Sequence, residues 1–165
     1  EALWRHYTRV ERGFIRVDAD EVTYPAHVIL RYRLEQALIH GDLRLADLPA
    51  AWNEGFKKLL GLDVPSDREG CLQDIHWFDG AFGYFPCYSL GAMTAAQFFE
   101  AACQAKPEIP AEIEQGKFDT LQGWLKANVH ELGSSLSTPE IVAHATGRPL
   151  DIAVFKRHLE RRYLN

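Results

Sequence analysis

Gln73, Asp74, His76, Trp77, Tyr84, Cys87 and Tyr88 all fall within Gly70 to Gly91, GCLQDIHWFDGAFGYFPCYSLG, the densest set of chemically capable side chains in the sequence. His76 and Tyr84 stand eight residues apart across Gly80 and Gly83. Each can donate a hydrogen bond to an oxygen gaining negative charge or to a peptide backbone. Gln73 and Asp74 offer acceptors that would orient the His76 imidazole, since a ring that must donate from one nitrogen is best held at the other. A thiolate beside an imidazole is the pair a cysteine hydrolase needs, and Cys87 with His76 would supply it. The glycines let the backbone turn tightly, and residues 80–99 carry no charged side chain, which describes a pocket wall or plain core. A membrane span fits the length. It fails on content, because Tyr84, Pro86, Ser89, Gly91, Thr94 and Gln97 interrupt the apolar run.

GCLQDIHW at Gly70 to Trp77 resembles the GxxQDxHW signature of the carboxypeptidase Taq family, helical zinc metallocarboxypeptidases that carry HExxH. FGYFPCYSLG is similar to the segment that follows it there, and IRVDAD matches a second signature, IRxxAD, at Ile15, Arg16, Ala19 and Asp20. The resemblance runs from about Phe14 to the C-terminus, taking in ADEVTYPAH, WLKANVH and TGRPL. It implies peptide substrates with a free C-terminus, and it assigns Arg16 to their carboxylate, for which a guanidinium has the matching two-pronged shape. Read from the residues alone, Arg16 equally suits an ion pair with Asp18 or Asp20. The resemblance also implies that His76 and Tyr84 stabilise the transition state. Gln73 would touch substrate or orient His76, while Asp20, Asp74 and Trp77 would support the site. In that family the position of Cys87 is commonly threonine, so a thiol is not required there.

No HExxH occurs in the chain. The seven histidines, at 6, 27, 40, 76, 130, 144 and 158, include no pair four apart, whereas zinc ligation from a helix needs two imidazoles one turn apart. The family's zinc ligands lie upstream of IRxxAD. The expectation is therefore the C-terminal portion of a larger enzyme, inactive alone, with zinc held by the missing N-terminal part and no metal ligand in this chain. Residue 1 is Glu and the only methionine is Met93, as expected of a fragment. The alternative is a non-catalytic all-α interaction module, and an in-frame HExxH in the upstream coding sequence separates the two.

The elements that must position these residues read as mainly α, a single multi-helix domain over 1–165 with at most one or two short strands near the cleft. Residues 1–13 read as the end of a helix closed by Gly13. FIRVDA alternates apolar and polar residues, predicting a short strand with Ile15, Val17 and Ala19 on one face. Helices follow over Thr23 to His40, with Val28, Ile29, Tyr32, Leu34, Leu38 and Ile39 apolar and His27 a packed helix histidine, and over Asp47 to Leu60; Gly41 and Gly61 end them. Pro86 to Ala105 is apolar nearly all round, which predicts a buried helix and a buried Cys87. A short helix or turn over 107–116, an amphipathic helix over 118–132, a helix opened by the Ser137 to Glu140 capping box, and a last helix over Asp151 to Tyr163 with an Ile152, Phe155 and Leu159 stripe complete the chain.

At 165 residues, 47% hydrophobic and 25% charged, the composition is that of an ordinary globular domain. A net charge of -5 without basic runs excludes nucleic acid as a partner class. Cys71, Cys87 and Cys103 show neither CxxC nor ligand spacing, predicting reduced thiols and a cytoplasmic setting. A homodimer is compatible with the sequence.

Overall fold

The computed structural model describes residues 1–164. Among them the regular elements are helices: α1 Ala2–Tyr7, α2 Tyr24–His40, α3 Leu48–Leu60, α4 Pro86–Ala105, α5 Ile109–Glu114, α6 Asp119–Asn128, α7 Thr138–Thr146 and α8 Ile152–Tyr163. Among the described residues there is no strand, and no helix is long and apolar enough to cross a membrane. The chain divides into two compact units, Glu1–Ser89 and Leu90–Asn165, with the boundary inside α4.

In the first unit α2 packs on α3. Gly41 and Gly61 end them at φ 80° and 72°, a left-handed conformation that only glycine adopts without cost. Leu30 and Leu34 of α2 meet Leu48, Trp52, Phe56 and Leu60 of α3, with Cys71 from the following loop. The buried face of α2 differs from the predicted one. It carries His27, Arg31 and Glu35 at successive i+4 positions among Val28, Leu30 and Leu34, while the apolar Ile29, Tyr32 and Ile39 lie outside. Charge inside and apolar residues outside cancel the amphipathic signal. Loop 61–85 then crosses the unit through turns, with Gly80 and Gly83 at φ 73° and 80°.

The predicted strand over FIRVDA is absent. Arg16–Asp18 is a single 3-10 turn, closed by Asp18 N–H to the Ile15 carbonyl (3.2 Å) and Ala19 N–H to the Arg16 carbonyl (3.1 Å). The alternation also fails at its centre, where Arg16 is 5% exposed and Val17 70%. Arg16 turns inward because its partners are there, and a pattern of apolarity cannot see them. The first helix stops at Tyr7 rather than running to Gly13, the Thr8 hydroxyl donating back to the Trp4 carbonyl (2.9 Å).

In the second unit Ala102, Ile109, Val142, Val154 and Phe155 are buried. Helix α4 is not sheathed as predicted: Leu90 and Phe99 are exposed, and of its two buried residues, Gln97 and Ala102, one is polar. Gln97 is drawn in by its bonds, Nε2 donating to Thr146 Oγ1 (2.8 Å) and the Pro149 carbonyl (3.0 Å), and Oε1 accepting from Asp151 N–H (2.8 Å). The amphipathic run over 118–132 breaks at Val129, and a 3-10 turn, His130–Leu132, follows α6. The capping box forms, with the Ser137 N–H donating to Glu140 Oε2 (2.8 Å). The buried stripe of α8 centres on Val154 and Phe155, leaving Ile152 exposed.

Candidate active site

Asp74 is the hub of the first unit. Arg16 Nε and Nη2 both donate to its Oδ1 (3.0 and 2.8 Å), and Arg31 Nε donates to Oδ2 (2.6 Å). The two guanidiniums and the carboxylate are nearly sealed from water, at 6%, 0% and 11% side-chain exposure. Burial alone would raise the Asp74 carboxyl, but Arg31 and Arg16 outweigh it and hold it below the ordinary range. Burial pushes Arg31 down to about 10, against the pull of Asp74, so it stays charged at neutral pH.

Gln73 locks this arrangement. Its Oε1 accepts from the Arg16 backbone N–H (2.9 Å) and Arg31 Nη2 (2.8 Å), and its Nε2 donates to the Phe14 and Glu69 carbonyls (3.1 and 2.9 Å). The acceptors of Gln73 and Asp74 thus go to the two arginines, not to His76 as the sequence suggested. Asp20 lies apart from the guanidiniums. It accepts from the N–H groups of Glu11, Val22 and Thr23, each at 2.9 Å, and so folds the loop that carries Arg16. Burial raises its carboxyl, but these bonds prevail and lower it. Trp77 ties loop 61–85 to α2, its Nε1 donating to Glu35 Oε1 (2.8 Å), and its ring meets Trp52 edge-on at 6.1 Å.

Aromatic rings enclose Arg16. Its Cζ lies 4.9 Å from the Tyr88 ring centroid, 5.5 Å from Phe85 and 5.7 Å from Tyr24, and Nη1 donates to Tyr24 Oη (2.6 Å). These bonds use three of the five guanidinium N–H groups and leave one on each Nη. His76 rests on Phe85 with ring centroids 4.3 Å apart, and its Nε2 meets Tyr88 Oη at 2.8 Å. Tyr84, half exposed, lies 5.9 Å from His76 and 5.4 Å from Tyr88, ring to ring. His76, Tyr84 and Arg16 are thus gathered around Tyr88. Cys87 is exposed rather than buried, and the imidazole that would have to activate it is engaged by Tyr88.

Sequence reasoning gave no role to Arg31, Tyr24, Phe85 or Tyr88. One signal for Arg31 was available: at i+4 from His27 and four before Glu35, between Leu30 and Leu34, it had to share their buried face.

His27 is fully buried against Phe56 (5.5 Å, edge-on), and both ring nitrogens lack a hydrogen-bond partner. Burial, with the charges of Arg31 and Arg16 against those of Asp74 and Asp20, lowers it to about 4. In the unfolded chain the imidazole takes its proton near pH 6.5, so between these values the unfolded state binds the extra proton. The stability tied to a neutral His27 is complete above pH 6.5 and is lost as pH falls toward 4, by about 1.4 kcal/mol per pH unit, roughly 3 kcal/mol in all. Urea denaturation of His27→Leu should show this slope removed. An unchanged slope would assign it to another group.

The family model of carboxypeptidase Taq (M32) metallopeptidases matches residues 1–163, nearly the whole chain. The chain belongs to the carboxypeptidase Taq family. It is 41% identical over 153 residues to Carboxypeptidase 1 of Bacillus subtilis, covering 93% of this chain and 30% of that protein. It is 34% identical to Thermostable carboxypeptidase 1 of Pyrococcus furiosus, covering 99% and 33%. Among solved structures, Trypanosoma cruzi metallocarboxypeptidase 1 superposes with a TM-score of 0.92 at 44% identity, over 98% of this chain and 34% of that one. The chain therefore spans about a third of the length of these carboxypeptidase Taq relatives. The residues present do not fit the family's metal: among those described, no group of three or more His, Cys, Asp or Glu side chains is placed to hold an ion.

Proposed function

We propose that these residues form the carboxylate-recognising and transition-state-stabilising side of a zinc metallocarboxypeptidase that removes C-terminal amino acids from peptides. The observation that carries this reading is the bracing of Arg16 within the buried cluster. Asp74 holds both guanidiniums, and the bonds of Arg16 to Asp74 and Tyr24 leave one N–H on each Nη. The free edge of Arg16 suits a carboxylate, which accepts two parallel hydrogen bonds from it. His76 and Tyr84 stand beside it as donors for the peptide carbonyl oxygen as it becomes tetrahedral. Gln73 and Asp74 brace the guanidinium, Asp20 fixes the loop below it, and Trp77 closes the loop above. Zinc and its ligands are assigned to the N-terminal part of the same enzyme, which is this chain's principal partner. The free thiols of Cys71, Cys87 and Cys103 support a cytoplasmic setting.

The test compares residues 1–165 with the full-length protein. The full-length protein should hold stoichiometric zinc and release C-terminal residues from peptides. The 165 residues alone should do neither. Stoichiometric zinc together with peptidase activity in the isolated residues would sink this division of labour.

A further inference from the structure

Tyr88 touches both groups to which the proposed function gives different tasks. Its hydroxyl meets His76 Nε2 at 2.8 Å, and its ring lies under the Arg16 guanidinium at 4.9 Å. The other His76 nitrogen, Nδ1, is buried without a hydrogen-bond partner. One ring nitrogen of His76 is thus taken by Tyr88 and the other is buried. A phenol, however, accepts one hydrogen bond and donates another at the same oxygen. We propose that Tyr88 is the donor through which His76 acts, accepting the Nε2–H and offering its own O–H to the peptide carbonyl oxygen, while its ring holds Arg16 in place.

No bond is made or broken at Tyr88. Its hydrogen bond strengthens as the oxygen gains charge, and the His76 N–H behind it polarises the phenol in the same direction. Burial raises the Tyr88 phenol, with Arg16 opposing, and the proton it must offer is retained at neutral pH. The ring contributes separately, because an aromatic face attracts a guanidinium whether or not it carries a hydroxyl.

This inference rests on the proposed roles of His76 and Arg16, and the experiment separates their failure from its own. In the full-length enzyme, Tyr88→Phe keeps the ring and should lower kcat about 10²-fold, the scale for losing one preorganised donor, with KM almost unchanged. Adding His76→Ala should cost little more, because the two residues act as one unit. Tyr88→Leu loses the ring as well and should raise KM for a free-carboxylate peptide by about 5-fold beyond that. Nitrogen NMR of His76 reads the contact without activity, and its ring resonances should move in Tyr88→Phe. Unmoved resonances would overturn the contact, and an unchanged kcat would overturn the donor role. Equal KM in the Phe and Leu variants would overturn the role of the ring. A wild-type enzyme that released no C-terminal residue would defeat the proposed function instead, and the NMR arm would still decide whether Tyr88 holds His76.

Discussion

Asp74→Ala is expected to destabilise the protein by about 3–5 kcal/mol, the range for stranding a buried charge by deleting its partner, and here two charges are stranded. Arg31 is fully buried and Arg16 nearly so, and between them they direct three of their N–H groups at the Asp74 carboxylate. Against a typical total of about 5–15 kcal/mol such a loss is large, and the urea midpoint should fall accordingly. Asp74→Asn keeps the shape and one acceptor but not the charge. If charge compensation is what holds the cluster, Asn recovers only a minor part. The pH dependence gives an independent check. The folded carboxyl is held below its ordinary value, so its contribution is complete above about pH 4 and is lost as pH falls through the depressed folded value. That acid slope should be missing from Asp74→Asn. A variant as stable as wild type at neutral pH would mean that the arginines find compensation elsewhere.

The cluster also shows where the sequence was readable. Gly41, Gly61 and the Ser137 to Glu140 capping box each act over one turn, and those helix ends fall where the sequence places them. The gathering of Arg16, His76 and Tyr84 was legible only through a resemblance to a known family. The partner of Arg16 was not legible at all, because Asp74 lies 58 residues away, whereas Asp18 and Asp20 stand within four residues of it. Composition misled most for α2 and α4. A buried Arg31 or Gln97 is placed by specific hydrogen bonds rather than by transfer free energy, and no hydropathy pattern records a bond to a distant residue.

Arg16 provides the sharpest separation of recognition from architecture. If its free Nη edge grips the terminal carboxylate, Arg16→Ala in the full-length enzyme should lower kcat/KM by about 10²- to 10³-fold, the loss of a buried charge-assisted pair. Arg16→Lys keeps the charge but not the fork, so it should do nearly as much damage. The bonds to Asp74 and Tyr24 mean that both variants should also lose stability, and activity must be measured where each is fully folded. The decisive arm uses substrate. Blocking the peptide's C-terminus as an amide should cripple the wild-type enzyme and make little further difference to Arg16→Ala, because the contact is then missing from both corners of the cycle. If Arg16 serves only to balance Asp74, its replacement will lower stability while the preference for a free carboxylate survives, and the substrate carboxylate will have to be assigned to another group.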